Sequence, residues 1–112
     1  MPPRDWLHRI DDIRESLELI LTFAQGQSLA GLRADRMRCD AILRNLEIMG
    51  EAARHVPDEV VSKYPEIPWQ QMRGLRNVLA HEYHGVDVAV VWQLIEKRLP
   101  ELKRMLDEGF GA

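Results

Sequence analysis

Between residues 76 and 83 the chain sets out side chains able to act on a phosphate group. Arg76 is followed at once by Asn77, then after three further residues by His81, and Tyr83 stands two places beyond. Histidine titrates near neutrality and can move a proton in either direction. A guanidinium stays charged and presents a fork of donors that matches phosphate oxygens. Such a pair suits acid–base chemistry at a centre that gains negative charge. Asn77, four residues before His81, shares a helical face with it and is placed to orient the imidazole. Arg73, three residues before Arg76, suits either a phosphate contact or a salt bridge. Taken singly, a histidine near a helix end is ordinarily a surface or capping residue.

Other candidates carry less. His81 and His84 are three apart and lack the HExxH zinc pattern, so no metal site is expected. His8 and His55 offer no partner in sequence. Gly50 before Glu51 fits close helix approach, with Glu51 at a solvated or intersubunit edge. Cys39 is the only cysteine, which excludes an intrachain disulfide and any multi-cysteine metal site. Trp6, Trp69 and Trp92 sit beside helical apolar positions and suit core or interface roles.

The elements that must position these residues are helical. Trp6, Ile10, Ile13, Leu17, Ile20, Leu21 and Ala24 recur at three and four, predicting a first helix over about 5–25. Gly26, Ser28 and Gly31 loosen the chain, and Ile42, Leu46, Met49, Ala53 and Val56 then mark a second helix ended by Pro57. Asp58 and Glu59 suit the first turn of a short helix over 58–63. Pro68 fits the first position of a helix over about 69–81, which stops before Gly85. Asp87 caps the last helix, with its stripe through Val91, Ile95, Leu99, Leu102 and Leu106 and a kink at Pro100. The expected class is all-α: an antiparallel bundle of four principal helices plus a short helix, forming a single domain over 1–112.

Helical rotation of about 100° per residue sorts the motif segment. Trp69, Gln70, Arg73, Arg76, Asn77, Ala80, His81, Tyr83 and His84 fall within roughly 160°, while Leu75, Val78 and Leu79 lie opposite. A polar, nitrogen-rich face thus opposes an apolar one.

The formal charge of -3, from 15 Lys and Arg against 18 Asp and Glu, argues against broad electrostatic binding to a polyanion. Any nucleic-acid contact must be local. The N-terminal residues lack the apolar run of a signal peptide, and no stretch of about 18 apolar residues occurs, so a cytoplasmic protein without a membrane span is expected.

With Arg76, Asn77, His81 and Tyr83 in this order, the chain resembles the HepT-like toxin ribonucleases of the HEPN superfamily. The resemblance extends through Gly50-Glu51-Ala52-Ala53, Pro65-Glu66-Ile67-Pro68-Trp69, Val86-Asp87, Trp92 and Leu99-Pro100, nearly the whole chain. His84 departs from it, since relatives often carry an aromatic residue there. The resemblance implies a HEPN-like fold and a metal-independent endoribonuclease without cofactor, with Arg76 and His81 catalytic and Asn77 and Arg73 supporting. A base would take the 2'-hydroxyl proton, an acid would serve the 5'-oxygen, and positive charge would hold the transition state. It further implies a cognate minimal nucleotidyltransferase antitoxin that silences the toxin by transferring AMP to Tyr83. A rival reading is a catalytically idle helical binding module that assembles with the nucleotidyltransferase, although the intact motif is more than scaffolding requires.

Helical spacing bears on assembly as well. The five-residue step from Arg76 to His81 leaves the two roughly 140° apart on one helix, poorly placed to converge on one phosphate. A symmetric homodimer that pairs Arg76 of one chain with His81 of the other is therefore expected.

Overall fold

Apolar stripes recurring at three and four fold into helices that meet around a single cluster of buried side chains. The computed structural model describes residues 5–80 and 87–111, with side chains described over 5–75 and 87–111. The helices are α1 (Trp6–Ala24), α2 (Leu29–Ala34), α3 (Arg36–Arg54), α4 (Asp58–Lys63), α5 (Trp69–Ala80), α6 (Val88–Lys97) and α7 (Leu99–Phe110). Among the described residues all regular structure is helical, as the periodicity requires.

The central element is α3, which packs against α1 and against α5; α7 lies on α1 and α6, and α2 touches α3 and α6. Every helix contributes to the core. Ile13 and Ile20 of α1, Leu32 of α2, Ile42 and Met49 of α3 and Leu106 of α7 are wholly buried, and Val60, Met72 and Ile95 join them from α4, α5 and α6. Each such aliphatic side chain stabilises the fold by about 1.5–3 kcal/mol on transfer from water. Helices of six residues such as α2 and α4 cannot persist on backbone propensity, so they exist because Leu32 and Val60 are buried.

Two boundaries differ from the expectation. The loosened stretch after Gly26 contains α2, started by Ser28, whose side chain accepts from the Gly31 N–H at 3.0 Å. Gly26 itself turns the chain at φ 75°, a backbone conformation that favours glycine. The expected kink at Pro100 is a break two residues earlier: α6 ends at Lys97, Arg98 takes φ -111° and ψ -42°, and α7 starts afresh. Pro100 has no N–H to give the Glu96 carbonyl, and its ring crowds that oxygen, so it opens a new helix instead of continuing the old one. Asp87 caps α6 as expected, accepting from the Ala89 N–H at 3.0 Å.

The head of α5 is fixed by an aromatic clamp. Phe110, at the end of α7, packs its ring 4.4 Å from Tyr64 and lies edge-on to Trp69 at 6.5 Å and to Trp6 at 6.3 Å. Gly109 permits this approach, because a Cβ there would stand 3.2 Å from the Tyr64 ring. Trp69 is 3% exposed, and its indole N–H donates to the Tyr64 carbonyl at 3.0 Å. Arg14 of α1 reaches across to the Asp107 carboxylate at 2.9 Å and the Phe110 carbonyl at 3.3 Å. Lys103 and Arg14 hold the Asp107 carboxyl below its usual range.

Candidate active site

The motif residues are carried by α5 and the segment after it. Arg76 and Asn77 occupy the last turns of the helix, though their side chains lie outside the described ones, and His81 and Tyr83 fall in residues 81–86, outside the described residues. Arg73 is fully described. The helix therefore places positions 73, 76 and 77 on one rigid rod.

The face of that rod differs in one respect from the expected arc. Trp69 and Met72 are buried while Gln70 and Gln71 are exposed, so the core-facing stripe of the described part of α5 runs through 69 and 72. Trp69 thus leaves the polar face. Its large ring and its bond to Tyr64 outweigh the polarity of its helical neighbours. Gln70 and Gln71 face outward, and Arg73 and Gly74 are half-buried.

Arg73 performs a task that neither of its expected roles named. Its Nε donates to the Ala53 carbonyl and its Nη2 to the Val56 carbonyl, both at 3.0 Å. The cause lies at Pro57. A continuing α-helix would give the Ala53 carbonyl an N–H from residue 57, and proline has none. The Val56 N–H at 3.3 Å and the Arg73 guanidinium take its place. A positive group at the end of α3 also opposes the partial negative charge of that terminus. Its remaining nitrogen, Nη1, makes no hydrogen bond among the described residues.

Beside this cap lies a cavity of about 620 Å³ between the end of α3, the start of α4 and the first turns of α5. Arg54, His55, Asp58, Gln70, Arg73 and Gly74 supply most of its lining. His55 has a partner after all, its Nε2 standing 3.2 Å from Glu51 Oε1. The four-residue spacing of Glu51 and His55 was a sequence signal for that pair. Nothing local in the sequence marks Arg54 or Gly74, since the cavity joins residues that are far apart in the chain.

Cys39 is buried, and burial pushes its thiol up from its ordinary value, which keeps it protonated and unreactive. Among the described residues, no group of three or more His, Cys, Asp or Glu side chains is disposed to hold a metal ion. Among those residues too, no helix is long and apolar enough to cross a membrane.

An all-helical chain with arginine, asparagine and histidine on and just beyond one helix has the features of a HEPN-like helical protein. The family model for ribonuclease HepT-like proteins matches residues 13–108, and the chain belongs to that family. It is 38% identical over 94 residues to a protein named "Probable ribonuclease HepT" from Thermococcus cleftensis, covering 84% of this chain and 86% of the relative. A candidate RNase of Methanocaldococcus jannaschii is 33% identical over 107 residues, 96% of this chain and 98% of its own length. Another, from Caldanaerobacter subterraneus, is 34% identical over 106 residues, 95% of this chain and 92% of its own. No solved structure matches the chain.

Replacing Arg73 with Met should remove both bonds to the end of α3 and cost on the order of 2 kcal/mol, about 10 °C in melting temperature. Arg73→Lys should recover less than half of that loss, because one ammonium cannot reproduce the fork. Thermal denaturation followed by circular dichroism measures both, and an unchanged melting temperature for Arg73→Met would show that the cap contributes nothing.

Proposed function

We propose that this chain is a metal-independent endoribonuclease acting in the cytoplasm as the toxin of a toxin–antitoxin pair, with Arg76 and His81 at its cutting site. The observation that carries this reading is the Arg76, Asn77, His81 and Tyr83 series on and just beyond α5, in a chain of the ribonuclease HepT-like family. His81 takes the proton from a ribose 2'-hydroxyl, the 2'-oxygen attacks the adjacent phosphorus, and the bond to the 5'-oxygen breaks. A proton returned to that oxygen leaves a 5'-hydroxyl end and a 2',3'-cyclic phosphate. The Arg76 guanidinium stabilises the charge that builds on the phosphoryl oxygens, and Asn77 orients the imidazole. Each of these roles needs only groups that the chain itself carries.

The site is assembled by a homodimer. The 140° divergence of positions 76 and 81 supports this, as does the surface of α6. On that helix Val91 and Ile95 are buried inward, while Val90 stands 62% exposed on the outer face with Gln93 and Lys97, an apolar side chain that a second copy would cover. A minimal nucleotidyltransferase is the antitoxin partner, and the Tyr83 hydroxyl is its acceptor. The tyrosine oxygen attacks the α-phosphorus of ATP, pyrophosphate leaves, and the bound AMP brings bulk and negative charge to the site.

Purified protein should cut RNA equally well with and without EDTA, and His81→Ala or Arg76→Ala should lower the rate at least about 100-fold while circular dichroism stays helical. Wild-type cleavage by His81→Ala, with contaminating nucleases excluded, would remove His81 from the mechanism. Co-expression with the partner should add the mass of AMP to the peptide that contains Tyr83. Neutralised toxin whose Tyr83 peptide is unmodified would point to inhibition by complex formation alone. Mixing Arg76→Ala and His81→Ala chains under subunit exchange should restore part of the activity, because each mixed dimer keeps one intact pair across the two chains. Verified mixed dimers without cleavage would overturn assembly in trans.

A further inference from the structure

Gly74 stands in the middle of α5, where glycine costs roughly 1 kcal/mol relative to alanine. Its φ is not in the left-handed range, and a Cβ built there meets no described atom within 4 Å. Neither backbone geometry nor the packing of the described residues therefore calls for glycine at this position. The open space above it is the cavity of about 620 Å³ described above, in the size range of ligand sites. Its walls carry two guanidiniums, those of Arg54 and Arg73, and the Gln70 amide, against one carboxylate, Asp58. Arg54 and Gln70 are exposed, and Arg73 brings Nη1 without a hydrogen bond among the described residues. The floor of the cavity is the stretch of α5 from Gln70 to Gly74, and the motif begins at position 76, less than one helical turn further along the same helix.

We infer that this cavity is a subsite for a backbone phosphate of single-stranded RNA, held by Arg54, Gln70 and Arg73 over the bare backbone at Gly74. The inference rests on the RNA-cutting reading and adds to it the path of the strand: the chain enters between α3 and α4, crosses α5 at Gly74 and reaches the motif about one helical turn later. Guanidinium forks and an amide donor match phosphate oxygens, and the absence of a side chain at position 74 lets the strand lie close against the helix. A second protein copy fits less well. A two-fold contact centred here would set the same guanidiniums against each other. The subsite also meets the requirement that a chain of net charge -3 hold RNA by local charge.

The test uses the full chain carrying His81→Ala, so that RNA is bound without being cut, and a short fluorescein-labelled single-stranded RNA read by fluorescence anisotropy. Arg54→Ala should weaken binding about tenfold at low salt, and the slope of log affinity against log salt should fall by about 0.7, the loss of one phosphate contact. Gly74→Leu, which fills the cavity, should weaken binding about tenfold with helicity retained. Should Gly74→Leu fail to fold, Arg54→Ala decides alone, because that side chain is exposed. Unchanged affinity and slope in these variants, while the parent with His81 intact cuts RNA, would overturn the subsite and leave the ribonuclease reading standing. If the parent neither binds nor cuts RNA, both fall. If light scattering shows that Gly74→Leu separates the dimer while RNA affinity is unchanged, the cavity seats a second copy and the inference is overturned.

Discussion

The last turn of an α-helix leaves carbonyls without intrahelical donors, and in this protein arginines from neighbouring helices supply them. Arg38 of α3 donates through Nη1 to the Phe23 carbonyl near the end of α1 at 2.8 Å. Arg73 of α5 closes α3 at Ala53 and Val56, and Arg14 of α1 closes α7 at Phe110. Each guanidinium meets the partial negative charge of a helix terminus and forms charge-assisted hydrogen bonds, worth about 1.5–3 kcal/mol each. Because every one of these arginines comes from another helix, the bonds do more than finish a turn. They set how far each helix slides along its neighbour, a parameter that apolar stripes leave loosely defined.

The consequence is largest for α5. Its head is held by Trp69 against Phe110 and Tyr64, and its second turn is tied to the end of α3 by Arg73. Those anchors occupy the first half of the helix, so the half that carries Arg76 and Asn77 leaves a fixed platform. A helix anchored in this way holds its far half in a defined position, and errors of about 1 Å are costly wherever a helix carries reacting groups.

The same arrangement explains how cations are used in an acidic protein. Arg14, Arg38 and Arg73 direct donors to backbone carbonyls, and surface pairs such as Arg104 with Glu108 at 2.9 Å engage others. Other guanidiniums stay exposed, among them Arg54 at the end of α3, beside the cavity at Gly74.

What the sequence determined by itself was whatever depends on neighbours in the chain. Apolar residues at three and four located α1 and α3, Pro68 marked the start of α5, Pro57 with Asp58 and Glu59 bounded α4 at the expected 58–63, and Asp87 capped α6. The order Arg76, Asn77, His81, Tyr83 marked the motif and the family, and nothing in the fold was needed to see it. Tertiary structure alone decided which face of α5 is core, because Trp69 is buried by Phe110, forty-one residues later in the chain. It decided that Arg73 serves α3, since the vacancy created by Pro57 is filled from a helix packed alongside and not from the adjoining turn. It also decided that Gly74 faces open space bordered by Arg54, twenty residues earlier. Periodicity and caps act within one turn of a helix and can be read from local order, whereas the partner of a long side chain is fixed only when helices distant in sequence pack together.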